Sequence, residues 1–485
     1  QLGGGFARYS VDAAWHVPHF EMMLYDNAAM LRNYATAYAL TADVALRDVA
    51  YSVVSWLLRT LAFDPTGSGT PLGYRYEPSR HGGGDTAPLP LEVGFFNALD
   101  ADQAGAEGAY YVWTEAELVS AAGEDGALAA ARYGVTTPGA FEGRNVLRVA
   151  ASVEELAERF GLAAVDVEAR LARAQRSLHA AREQRPRPAV DDKAMASWNG
   201  LALGALATAG RLLADEELLA LARANARYLR QRHWHDGRLW HVWRRDQRSV
   251  EGLLEDYAYV GLGLLDLYRA TLEAEHLEWA LELAHQVQER FHDEAGGYFS
   301  TATNMQKLVV RPKGFMDAAT PSENAAAAEL VWWAARYQDD AELARAAAAA
   351  LAGVDAAILQ APQAFASSLR VRLTIEGPQR EVVLAGELGS TDLDEFLARW
   401  RRYDDGSALV LLLSSAASFP AELPLAEGRA PHSPGNAGAA APATAYVCTN
   451  GACRLPDNDT ESFERSLQAA GFYCRPGIDS GTGQR

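Results

Sequence analysis

The chain has 485 residues and a formal net charge of −19, with 49% apolar residues and 11 Trp, a composition that excludes a disordered or collagen-like protein. Its acidic balance argues against nucleic acid, because phosphate neutralisation calls for clustered Lys and Arg, and the basic runs at 182–187 and 399–402 are interrupted and read as solvated surface. Three cysteines are too few for a disulfide framework and point to a reducing, cytoplasmic setting, and no apolar run approaches the ~18 residues of a membrane span.

The chain starts at Gln1 with a Gly-rich stretch and no signal features, which reads as the continuation of a missing upstream segment. Apolar residues then recur at helical spacing from Phe20 to Thr41, followed by a second helix from Ala42 to Phe63. This hairpin pattern returns as Ala194 to Leu213 with Asp215 to Trp234, Leu253 to Leu272 with Glu273 to His292, and Ala318 to Gln338 with Asp340 to Leu359. Four hairpins without a solenoid signature suggest an antiparallel ring of helix pairs. A long insertion, 64–187, carries loops and a helix near Asp166 to Gln184. Aromatic, Gly-rich stretches at 73–77, 95–113, 237–243 and 296–301 read as short strands and loops gathered on one rim.

After Pro362, the segments 381–385, 391–403, 409–413 and 445–448 read as a small β-α-β-like unit, interrupted by a Pro/Gly/Ala-rich loop or lid at 419–442. The expected organisation is therefore a helical ring over 1–378, a small α/β unit over 379–471 and a flexible tail over 472–485. Cys448 and Cys453 are expected to be reduced.

Acidic residues beside aromatic ones at loop-helix junctions suit carbohydrate chemistry: one carboxyl protonates a leaving oxygen, another activates water, and aromatic faces stack on sugar C–H surfaces. Asp26 beside Tyr25, Asp100 and Asp102 ahead of Trp113, Asp192 ahead of Trp198, and Glu255 and Asp256 beside Tyr257 meet that description. Helix capping is the competing reading for each, foremost for Asp192 and Asp317. His19 is a candidate proton-transfer group, while a metal at His16 and His19 is set aside because Pro18 breaks the helix and no third ligand follows. Arg311 and Lys313, flanking Pro312, offer a clamp for an anion. Trp15, Trp113, Trp198 and Trp240 are platform candidates, whereas Trp332 and Trp333 read as core. The glycine runs 3–5 and 82–84 lack a following Lys-Ser/Thr and read as turns.

Several long motifs also occur in a fixed order: GGGFARYSVD (3–12), WHVPHFEMMLYDN (15–27), ALDADQAGAEGAYYVWT (98–114), DDKAMASWNG (191–200), LEDYAY (254–259), VVRPKG (309–314) and DAATPSEN (317–324). With these, the chain resembles thioredoxin-domain-containing proteins of the spermatogenesis-associated protein 20 type, in the part that follows their thioredoxin-like domain. The resemblance implies an (α/α)6 toroid of the six-hairpin glycosidase type, similar in shape to N-acylglucosamine 2-epimerases, of which this chain would lack the opening helices. No Cys-x2-Cys redox motif is present. Met22 stands where the family has Lys, and Glu323 where it has Gly.

Together these readings give a mainly α protein that is a sugar epimerase or glycosidase-like catalyst, using His19, Asp26, Glu255 and Asp256 as its acid/base set, without metal or cofactor. The alternative is a non-catalytic scaffold that binds a glycan or a protein.

Overall fold

A computed structural model of the chain describes residues 2–67, 70–73, 76, 89–103, 105–305, 309–414, 423–429 and 443–477. The strand expected at 73–77, the glycine run 82–84 and most of the segment 419–442 fall largely or wholly outside them.

The four predicted hairpins are formed. The first pairs α1 (Leu24–Thr41) with α2 (Val44–Thr60). After the insertion, which contributes α3 (Glu115–Ala122), α4 (Gly126–Tyr133), α5 (Val153–Phe160) and α6 (Ala164–Glu183), come α7 (Ala196–Leu213) with α8 (Glu216–Tyr228) and α9 (Leu254–Thr271) with α10 (Ala274–Phe291). The fourth pairs α11 (Glu323–Gln338) with α12 (Ala341–Ala350), and α13 (Asp355–Gln360) and α14 (Ala366–Glu376) follow. Each hairpin turns in the same way: a non-glycine residue in the left-handed region ends the first helix, at Ala42, Ala214, Leu272 and Asp339. An acidic residue then opens the second, and Asp43, Asp215 and Asp340 accept backbone N–H bonds there.

The first helices of the hairpins form the inner layer. α7 lies between α1 and α9, α9 against α11, and α11 against α14, while α2, α8, α10 and α12 pack outside them. Glycines set the closest approach. A Cβ on Gly200 of α7 would lie 2.6 Å from the backbone nitrogen of Val260 in α9, and one on Gly263 would lie 2.6 Å from the carbonyl oxygen of Gly200. The inner helices also share one tie to the chain ahead of them. Buried Asn27, Asn199 and Asn324 each accept a backbone N–H, from Phe6, Phe95 and Tyr298, and each donates back to that residue's carbonyl. In α9 the Tyr257 hydroxyl takes this place, accepting from Leu239 N.

The C-terminal unit is a four-stranded sheet ordered 408–413, 380–385, 444–449 and 452–453, with α15 (Thr391–Tyr403) crossing over between the two parallel strands and α16 (Thr460–Ala469) at the end. It seals one end of the ring. The Tyr268 and Tyr337 hydroxyls both donate to the Val410 carbonyl at 3.2 Å, and Arg211, near the end of α7, is paired with buried Asp404 at 2.7 Å. Contrary to the reduced pair expected, Cys448 and Cys453 are disulfide-bonded; they sit opposite one another on adjacent antiparallel strands, which brings their sulfurs together. Cysteine usage therefore no longer argues for a reducing compartment. No helix among the described residues is long and apolar enough to cross a membrane.

Candidate functional site

The N-terminal ends of the inner helices lie at the end away from the C-terminal unit. Glu255 and Asp256 open α9, Ser197 and Trp198 open α7, Tyr25 and Asp26 open α1, and Glu323 opens α11.

At this end His241, Glu255 and Asp256 form a cluster, with one ligand atom of each lying within 4.8 Å of the others. Asp256 is fully buried and accepts the N–H groups of Leu253 at 2.7 Å and of Ser197 at 2.9 Å, so it caps its own helix and ties it to α7. His241 comes from the strand Arg238–Arg244, which pairs with both the strand 247–251 and Ala194–Met195. Strand alternation puts it on the same side as buried Leu239 and Trp243, and its Nδ1 lies 2.9 Å from Asp256. Glu255 is less buried, and the Ser197 hydroxyl donates to it at 3.3 Å. Burial, with Asp256 and Glu323 nearby, pushes the Glu255 carboxyl up to about 7. Burial likewise raises Glu323, which accepts the Gly314 N–H at 2.9 Å and the Ser300 hydroxyl.

A second group surrounds α1. Burial pushes the Asp26 carboxyl up to about 6, against the opposing pull of Arg8, whose Nε is 3.8 Å away. Tyr25 meets Trp198 edge-on, with ring centroids 4.7 Å apart, so these two aromatics join the α1 group to the α7 end of the cluster. His19 is held between Glu107 at 3.0 Å and Glu21 at 3.6 Å.

The remaining sequence candidates lie elsewhere. Trp15 is 84% exposed on the N-terminal turn, and Asp100 and Asp102 are exposed, Asp100 accepting the Asp102 N–H. Trp113 is buried in the core of the insertion under the Arg185 guanidinium, and Tyr257 is buried with its hydroxyl engaged by Leu239 and Arg290, which leaves neither a face for a ligand. Asp192 caps no helix: it pairs with Arg244 and Arg245, which hold its carboxyl below the usual range. Asp317 is not the cap of α11 either; Ser322 is, and Asp317 accepts the N–H groups of Ser322 and Ser367. Arg311 lies over Phe299 and bonds the Thr301 carbonyl, while Lys313 is paired with Asp293 at 2.5 Å. Met22 is buried in a strand and belongs to the core, not the rim.

Sequence reasoning passed over His241, Ser197 and Arg8. Period-two alternation in the stretch 237–243 was the available signal for His241, since it places that residue in line with two core positions.

No protein-family model matches the chain. Spermatogenesis-associated protein 20 of Homo sapiens is 32% identical over 94% of the chain, and its Mus musculus counterpart 31% over the same share. The chain is a homologue of spermatogenesis-associated protein 20. It spans 59% of the length of these relatives. An uncharacterised Caenorhabditis elegans protein is 26% identical over 66% of the chain and 45% of its own length. Among solved structures, the chain is similar to a cellobiose 2-epimerase from Spirochaeta thermophila, with 12% identity, 74% of this chain and 64% of that chain covered and a TM-score of 0.42. It is also similar to a D-mannose isomerase, with 14% identity, coverage of 72% and 78%, and a TM-score of 0.33.

Proposed function

We propose that this chain is a carbohydrate-active enzyme of the epimerase or isomerase kind, with Glu255 and His241 as its acid/base pair. The observation that carries the reading is the placement of Glu255, whose carboxyl pKa burial raises, beside a histidine whose orientation Asp256 fixes, at the N-terminal ends of the inner helices. Proton removal from a sugar carbon next to a carbonyl and its return at the same or the neighbouring carbon need two groups that exchange protons near neutrality. Trp198, only partly buried, supplies aromatic surface at the same end with buried Tyr25 packed edge-on against it, and Asp26 is a further acid/base candidate there. Hydrolysis would need a second free carboxylate facing Glu255; Glu323 is the nearest in kind, but Ser300 and Gly314 already occupy its Oε1.

The test is incubation of the chain with a panel of aldoses and ketoses in D2O, following deuterium at C2 and the appearance of new sugars by NMR. Exchange with one sugar class, abolished by Glu255→Gln, supports the reading. Complete absence of exchange and of hydrolysis, with a sugar that still raises the Tm, favours the binding-scaffold alternative. That alternative draws on one observation: Asp256 is fully consumed by capping bonds and His241.

A further inference from the structure

A cavity of about 290 Å³ runs between the inner helices, lined by residues of α1, α7, α9, α11 and α14. Its size is near the lower end of the ~300–1,000 Å³ typical of ligand sites. Unlike a core void, it is charged. Arg32 of α1 is paired with Asp266 of α9 at 2.5 Å, and Arg370 of α14 is paired through both terminal nitrogens with Glu329 of α11 at 2.5 Å. A Cβ on Gly204 of α7 would come within 2.6 Å of the Arg32 guanidinium and 2.9 Å of the Asp266 carboxylate, so this glycine is what lets that pair lie against the helix.

A third arginine has no carboxylate of its own. Arg269 is 8% exposed, stacked over the Trp333 ring at 4.4 Å, and its nearest acid is Asp266, 3.6 Å away and already held by Arg32. Its Nε and Nη2 are buried without a hydrogen-bond partner. Three guanidinium groups and two carboxylates thus line one cavity, an excess of one positive charge. An unbalanced guanidinium beside a cavity favours an anion, and guanidinium forks match carboxylate and phosphate oxygens in pairs.

We propose that this cavity is a binding site for a small organic anion, one bearing a carboxylate or a phosphomonoester, with Arg269 as its anchor and Arg32 and Arg370 as its gate. The last two have side chains 42% and 57% exposed, so the cavity opens to solvent past them. The cavity reaches Leu201, Tyr259 and Pro321 on the side of the acid/base cluster, but its charged end is set apart from that cluster. Asp266 lies eleven residues beyond Glu255 on one helix, a rise of about 16 Å.

The test is isothermal titration of the chain with inorganic phosphate and with glucuronate at fixed ionic strength, with glucose and chloride as controls. Saturable binding of phosphate, glucuronate or both, weakened at least tenfold by Arg370→Gln and by Arg269→Lys, is the expected result, and which anion binds identifies the head group. Both variants are checked for a cooperative melt, and Arg32→Gln replaces any that fails to fold. Absence of saturable binding by either anion overturns the proposal, as does binding that survives in all the folded variants. Glucose binding without anion binding would leave the sugar-enzyme reading standing and remove this one.

Discussion

His241 Nδ1 lies 2.9 and 3.0 Å from the two side-chain oxygens of Asp256, a fully buried group whose oxygens also accept the Ser197 and Leu253 N–H groups. Nδ1 must therefore carry the proton, which fixes the tautomer and leaves Nε2 as the nitrogen that titrates. Asp256 is a positioning residue in this arrangement, and it holds His241 above its ordinary range against the opposing effect of burial. Asp256→Asn should move the His241 titration to lower pH and shift the acidic limb of any pH-rate profile with it. Histidine NMR, assigned with His241→Asn, reads the first effect directly; an unmoved His241 resonance would remove Asp256 from this role.

Glu255 gives a stability effect of opposite sign to that of an ordinary salt-bridged acid. Its folded-state pKa of about 7 lies above the unfolded value near 4.5, so folding favours its protonated form. Below pH 4.5 both states are protonated and the group costs nothing. Between 4.5 and 7 the unfolded state ionises first and stability falls, and above 7 the cost is fully present. Glu255→Gln should therefore match wild type near pH 4 and be more stable at pH 8, by roughly 3 kcal/mol. Thermal melts across that range check it. A variant less stable than wild type at pH 8 would contradict the raised pKa, whatever its activity.

Asn199 tests the tie between helix and preceding chain. Its side chain accepts from Phe95 N at 2.9 Å and donates to the carbonyls of Phe95 and Met195 at 3.0 and 2.9 Å, all in the interior. Asn199→Ala would leave the buried amide and carbonyl of Phe95 without these partners, at a cost of about 2–5 kcal/mol. Denaturant unfolding measures it. Because Ser197 lies two residues away and contacts both Asp256 and Glu255, the variant should also disturb the acid/base cluster.

The helices were legible because the inner ones carry long apolar faces and the outer ones begin at acidic caps, so Asp43, Asp215 and Asp340 all stand in the sequence where a second helix starts. Glu255 and Asp256 were legible as a pair at a junction, but not their division of labour. Which of two adjacent carboxylates turns inward depends on the neighbouring helix, here through Ser197 N, 59 residues away in sequence. Asp192 and Asp317 show the same limit. Both have the residue type of a cap, yet Arg244, Arg245 and the backbone of Ser367 claim them across distant parts of the chain. The charged cavity was not foreseen, because its arginines sit singly on three helices and no local window contains two of them with their partners.

The contact of α7 with α9 makes the last prediction. Gly200 and Gly263 face each other there, and the atoms that a Cβ on Gly200 would meet are backbone atoms of Tyr259 and Val260, which cannot rotate out of the way. Gly200→Ala must push the two helices apart, and overpacking of this kind costs about 1–3 kcal/mol. Gly353, where an added Cβ meets nothing within 4 Å, is the control, and Gly353→Ala should leave the Tm within about a degree of wild type. The same displacement would separate Ser197 on α7 from Glu255 and Asp256 on α9, whose bonds to it span this contact. Gly200→Ala should therefore lower the Tm and, if the acid/base cluster is the working site, reduce exchange at the sugar carbon below the wild-type rate even at temperatures where the variant is fully folded. A folded Gly200→Ala protein with wild-type exchange would show that the alignment of α7 and α9 does not set the chemistry.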